Sequence, residues 1–533
     1  MTARRRAAAL SVAIVFVAGV DAIGAADSSR WWAHVRYLAD DSLEGREAGR
    51  PGYTRAAEYV ADLWRKAGLE PAYAGQFLQP VALKTRQIDE SRSSLALVRD
   101  GRVEPLMLGE DANFSLRIDP ALDIDAPLVF TGHGLTVPDA GINDLEGLNL
   151  KGAVAVYFST PTGSLPGPLQ AHFGSNAERW RVLRAAGAIG TITVPGTGRL
   201  EVPWSRSTLA RLQPQMSLVD PALDDYPDQQ IAVTMNPDRA DVLFAGSGHT
   251  LAELAALDQA GQPLPRFALP ARVKATIAVN RSTIASPNVA AVLRGADPAL
   301  RGEAVVLSAH LDHVGVGDAV AGDRIYNGAM DNASGVATIL EVAERLRESG
   351  YRPARSIVFA AVTAEELGEL GSRYFVAHPP TGLRIVANVN TDMFLPLFPL
   401  RTLMVLGLDE SDLAGDIRAV ARDLHLAVQG DPEPQRNRFV RSDQYSFIRA
   451  GVPSLAMKVG YNENTPEAAI AAKWTTERYH APSDDLNQPI DRSAAGKYVE
   501  VVRDLAVRIA NRSDRPKWND ASFFKRFANG ATH

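Results

Sequence analysis

The sequence predicts an α/β protein: a mostly parallel, open sheet flanked by helices, with an inserted β-rich module. Three observations carry this. From about residue 273 onward, apolar runs with β-branched residues alternate with helical stretches, the pattern of strands buried on both faces. Between about 120 and 272 the texture changes to short strands punctuated by Pro and Gly. A chain of 533 residues also exceeds one ordinary core. The expected organisation is an export segment over residues 1–26, a first part of the main domain over 27–119, the insertion over 120–272, and the larger part of the main domain over 273–533.

The N-terminus reads as an export signal. Arg4, Arg5 and Arg6 precede the apolar run Ala7 to Val20, and "AIGAAD" supplies small residues for cleavage near Ala25 or Ala26. The run is short beside the ~20 apolar residues a spanning helix needs. The expectation is a periplasmic or extracellular protein with no stable membrane anchor. Residues 31–70 read as largely helical. In "YTRAAEYVADLWRKAGLEP", Ala56, Val60, Leu63, Trp64 and Ala67 recur at helical spacing before Gly68, a C-terminal cap. In the insertion, "PLVFTGHGL", "GAVAVYF" and "IGTITV" read as strands and "NAERWRVLRAAGA" as a helix. The larger sheet is read from "NVAAVL", "EAVVLSA", "RSIVFAAV", "RIVANVN", "TLMVLGL" and "SLAMKV". Between them, "SGVATILEVAERLRESG" places Ile339, Val342, Ala343 and Leu346 on one helical face.

Composition excludes several chemistries. With no cysteine there are no disulfides, thiolate metal sites or cysteine nucleophile. A net charge of −6 without long like-charge blocks leaves no basic footprint for nucleic acid.

In open sheets of this kind, functional residues gather beyond the carboxyl ends of the strands. "EAVVLSA" runs into His310, Asp312 and His313; "RSIVFAAV" into Glu365 and Glu366; "RIVANVN" into Asp392. Asp331 precedes a helix, and "ERYHAPSDD" supplies His480, Asp484 and Asp485. Each alone has an ordinary structural reading, as an N-cap, a helix start or a satisfied histidine. Together they crowd acids onto buried strand ends with no bases to balance them, which a bound divalent cation would offset. Oxygen and imidazole donors suit zinc, and cobalt or manganese less specifically. Five ligands exceed the needs of one catalytic zinc, and two ions sharing a carboxylate account for them better. Glu365 and Glu366 are neighbours, and can converge on one site only where the chain leaves regular structure.

The motifs "HLDHVG", "GAMDNASG", "AEE", "NTDM" and "YHAPSDD", in that order, resemble the co-catalytic zinc aminopeptidases, in particular the exported type with an inserted protease-associated domain. "LADDSLEGREAGRPG" resembles that family's N-terminal signature. The resemblance spans nearly the whole mature chain. It implies two Zn2+ per chain: His310 and Asp392 on one, Glu366 and His480 on the other, and Asp331 bridging. It also implies Glu365 as general base, Asp312 orienting the His310 ring, and a comparable supporting role for Asp484. The implied substrates are peptides with a free N-terminus, cut after the first residue. Met330 stands where the family often has an acid, and Gln444 where relatives often have His. "LVFTGHGL" and "LKGAVAVYF" resemble the protease-associated domain, in which His133 and His172 read as packing residues.

The alternative is a metallocarboxypeptidase of the same scaffold, for which Arg436, Arg438 and Arg441 would receive a terminal carboxylate. Less favoured are a one-zinc glutaminyl cyclase and a non-catalytic receptor-like protein. The sequence does not fix the oligomeric state.

Overall fold

Two sheets organise the chain in a computed structural model that describes residues 20–160, 165–196 and 203–528. The charged start and apolar core of the predicted export segment lie outside the described residues up to position 19. Among the described residues no helix is long and apolar enough to cross a membrane.

The larger sheet contains β1 (Leu78–Ile88), β2 (Gln215–Leu218), β3 (Val279–Leu293), β4 (Glu303–His310), β5 (Ser356–Val362), β6 (Arg384–Asn390), β7 (Thr402–Leu406), β8 (Ala427–Gln429) and β9 (Ser454–Val459). Their spatial order is β2-β1-β3-β5-β4-β6-β9-β7-β8, and the short strand Glu70–Pro71 pairs with β3. The centre, β5-β4-β6-β9, is parallel. The flanks are antiparallel where β2, β1, β3 and β5 meet in turn and where β9 meets β7, so the sheet as a whole is mixed.

Every residue of β4 and β5 is buried, which explains why both read as unbroken apolar runs. One face is covered by α1 (Val20–Leu38), α2 (Pro51–Lys66), α3 (Ser334–Glu348) and α6 (Arg492–Ala510), whose Trp31, Trp64, Ile339 and Tyr498 join one core with Val305, Leu307 and Phe359 of the strands. The other face is covered by α4 (Leu370–Ala377) and α5 (Gln444–Arg449), where Phe375 and Phe447 pack on Val306, Val358 and Ala360.

The second sheet has eight strands running from Ser94–Arg99 to Phe267–Thr276. Asp123–Phe130, Val154–Phe158, Gly190–Val194 and Ile231–Met235 form its parallel centre. Phe130, Phe158 and Phe244 meet edge to face in its core. The insertion therefore begins near residue 89, about thirty residues before the expected start at 120. Ser94–Arg99, Arg102–Leu106 and Ala112–Phe114 are short and only partly buried, so no long apolar run marked them as part of the second body. The insertion also returns β2 to the edge of the larger sheet, against β1.

Candidate metal centre

The carboxyl ends of β4, β5 and β6 lie side by side because the three strands are parallel neighbours. Each ends where the chain turns irregular. After β5, Ala364 takes a left-handed conformation (φ 53°), and Glu365 and Glu366 follow in a loop before α4. This break lets two adjacent acids approach one place. Past β6, Met393 and Leu395 are left-handed as well, as is His480. Such backbone is costly for residues with a Cβ and gathers at sites that require it.

Asp331 sits at the middle. Its Oδ1 lies 3.3 Å from His310 Nε2, and its Oδ2 lies 3.3 Å from His480 Nε2. His310 Nε2 is also 3.3 Å from Asp392 Oδ1, and His480 Nε2 is 2.9 Å from Glu366 Oε2. Two donor sets thus form, His310–Asp392 and His480–Glu366, each facing its own oxygen of Asp331. The donor atoms of His310, Asp331 and Asp392 all lie within 4.8 Å of one another. Imidazole and carboxylate donors at this spacing fit a divalent cation such as zinc.

Residues 288–506, which contain every one of these donors, match the pattern of Peptidase family M28. This region is similar to peptidase family M28. Leupeptin-inactivating enzyme 1 of Streptomyces exfoliatus is 29% identical over 208 residues, 37% of this chain and 43% of that protein. A probable leucine aminopeptidase 2 of Aspergillus oryzae is 30% identical over 223 residues, 39% of this chain and 41% of that protein. The chain spans about two fifths of the length of these curated relatives. Among solved structures, an aminopeptidase from Aneurinibacillus sp. strain AM-1 superposes with a TM-score of 0.55 at 20% identity, covering 92% of this chain and 95% of that one. The likeness shows a shared fold.

Supporting groups in the M28 region differ from expectation in two places. Asp312 meets His310 through its backbone: the carbonyl lies 3.1 Å from His310 Nδ1. Its carboxylate instead accepts the amides of Glu365 at 3.1 Å and Glu366 at 3.4 Å, because the left-handed turn points both N–H groups at it. Asp484 accepts the amides of Met330 and Asp331, each at 3.0 Å, so it supports Asp331 rather than His480. Met330 is fully buried in the main core, which accounts for an apolar residue there. Gln444 accepts from Asn390 at 2.8 Å and donates to the Phe439 carbonyl at 3.1 Å, a buried link between β6 and the preceding loop.

Other contributors carried no assigned role in the sequence. His313 Nδ1 lies 2.6 Å from Glu366 Oε1, while its Nε2 is buried without a partner. Arg46, fully buried, donates to the carbonyls of Leu311, Asn327, Gly328 and Leu38, tying the loops after β4 and before Asp331 together. Asp443 is buried with neither carboxylate oxygen hydrogen-bonded.

The electrostatics follow from crowding. Burial pushes Glu365 well above the usual carboxylate range, and Asp392, Asp443 and Glu366 add to this against the pull of His310. Burial also raises Glu366, but His480 and His313 outweigh it and hold the group down at about 2. Burial lowers His480, yet Glu366 and Asp331 lift it to about 10.

Two cavities meet at Glu365, Tyr479 and His480. One, about 110 Å³, has walls that include Met393, Leu395 and Phe398. The other, about 390 Å³, lies between the M28 region and Arg117, Asn176, Glu178 and Tyr226 of the insertion. Of the basic cluster offered for a carboxypeptidase, Arg438 pairs with Asp431 at 2.6 Å and with Glu433, and Arg436 lies 3.3 Å from Glu433.

Proposed function

We propose that the chain is a zinc-dependent exopeptidase that removes the N-terminal residue from peptides, using two Zn2+. The observation that carries the reading is the division of Asp331, with one oxygen toward His310–Asp392 and the other toward His480–Glu366. His310, Asp392, Glu366, His480 and a bridging Asp331 would hold the ions. When bound, the ions supply a water of lowered pKa and an electrophile for the scissile carbonyl.

Glu365 takes the proton of the attacking water and returns it to the leaving amine nitrogen. Asp312 holds the Glu365 amide and so fixes where the carboxyl begins. The smaller cavity receives the first side chain, and the larger one receives the leaving peptide. The acid partners of Arg438 and Arg436 argue against a terminal carboxylate in the smaller cavity. Export to the periplasm or the medium, and a protease-associated role for the insertion, complete the proposal.

The test uses aminoacyl anilides and dipeptides, free or N-acetylated, with metal-stripped and zinc-restored protein. Hydrolysis should need both a free N-terminus and zinc, with close to two ions bound per chain. Equal cleavage of acetylated substrates, or none after zinc is restored, would reject the reading.

A further inference from the structure

Lys458 is a charged residue facing inward in an otherwise apolar stretch, "SLAMKV". Alternation along β9 sends Leu455 and Met457 into the main core, and sends Ala456 and Lys458 to the opposite face with Met404 and Leu406 of β7. There Lys458 lines the smaller cavity. Its Nζ donates to the carbonyls of Asp392 at 3.0 Å and Met393 at 2.9 Å. An ammonium carries three N–H donors. Among the described residues no acceptor takes the third.

The surroundings make that donor consequential. The side chains of Met393, Leu395, Phe398, Met404 and Leu406 form an apolar part of the wall, beside polar residues that include Ser442, Gln444, Tyr461 and Thr475. A purely apolar side chain filling this space would displace water from the donor and leave it unsatisfied. A side chain with an apolar stem and an oxygen at its tip would meet the walls and the donor together. We infer that Lys458 selects substrates whose first residue ends in an oxygen acceptor, glutamate or glutamine, over apolar residues of similar length. This rests on the aminopeptidase reading and deepens it by naming a substrate class. Two carbonyl contacts also make Lys458 a support for the turn that presents Asp392, so the test must separate selection from support.

The experiment compares kcat/KM of the wild-type, zinc-loaded protein for glutamyl, glutaminyl and norleucyl anilides. The expected result is a preference of roughly tenfold or more for the oxygen-tipped substrates. Lys458→Met should abolish that preference in whatever turnover it retains, and Lys458→Arg should keep it. Elemental analysis of each variant reports whether Asp392 still serves its ion. Calorimetric binding of free glutamine against norleucine gives the order without turnover. A wild-type protein that cuts or binds norleucine as well as glutamine overturns the inference, even if Lys458→Met loses metal. Failure to cut any anilide defeats the aminopeptidase reading itself, and this inference with it.

Discussion

Glu365 and Glu366 differ by one position and by nearly everything else. Glu366 faces two imidazoles and is held ionised, whereas Glu365 faces acids and is driven toward its protonated form. Glu365→Gln should therefore retain zinc by elemental analysis and lose most turnover, by about a hundredfold or more. His310→Ala should lower zinc content instead. Glu369 gives a pH prediction. Burial lifts it to about 7, against Arg373 and Arg117. A carboxyl raised in the folded state is released first by the unfolded chain, so stability falls between about pH 4.5 and 7. Glu369→Gln should remove that loss, gaining at most about 3 kcal/mol at pH 8 and progressively less toward pH 5 in denaturant titrations. His310, Glu365, Glu366 and Asp392 were legible because each follows an apolar run, and Asp331 and His480 because of the motifs that hold them. His313, Arg46 and Lys458 were not assigned roles, since their partners are carbonyls or side chains that only the folded chain brings near.

At the level of elements, the site depends on turns rather than on strands. Arg46 ties four carbonyls from three segments, and burial lowers its guanidinium to about 10, which still leaves it charged at neutral pH. Arg46→Met would leave those carbonyls without a donor, and should cost about 3 kcal/mol or more in a denaturant midpoint experiment and weaken zinc retention. Gly371, at the start of α4, is similarly constrained: a Cβ there would strike the Thr363 backbone and the Asn288 side chain. The central strands β4 and β5 could be read from sequence because burial on both faces writes a nearly continuous apolar run. Ser94–Arg99 and Arg102–Leu106 could not, being short and half-exposed, and the start of the insertion was misplaced for that reason.

Across the whole molecule, the insertion is fastened to the M28 region at several points. Asp225 lies 2.8 Å from Arg373 and 3.0 Å from Arg449, and His172 Nδ1 lies 2.7 Å from the Tyr445 hydroxyl. Removing Asp225 leaves two guanidinium groups without their shared acid. Asp225→Ala should cost about 2–3 kcal/mol and hasten proteolysis between the two bodies, read by time-resolved digestion. With this contact intact, the insertion walls the cavity proposed for the leaving peptide, so kcat/KM should fall as peptides lengthen.

Chain enters and leaves the insertion through adjacent antiparallel strands: β1 pairs with β3 from Leu78↔Val289 to Ile88↔Val279, and the Asp89 amide lies 2.9 Å from the Ala278 carbonyl. Those two ends are close enough to be joined by a tight hairpin turn, so the second body is excisable in principle without cutting the sheet. Excision would also delete β2, baring the Leu83 to Arg86 edge of β1 that it pairs with. The inserted body thus pairs internally a stretch of backbone that its removal would leave open.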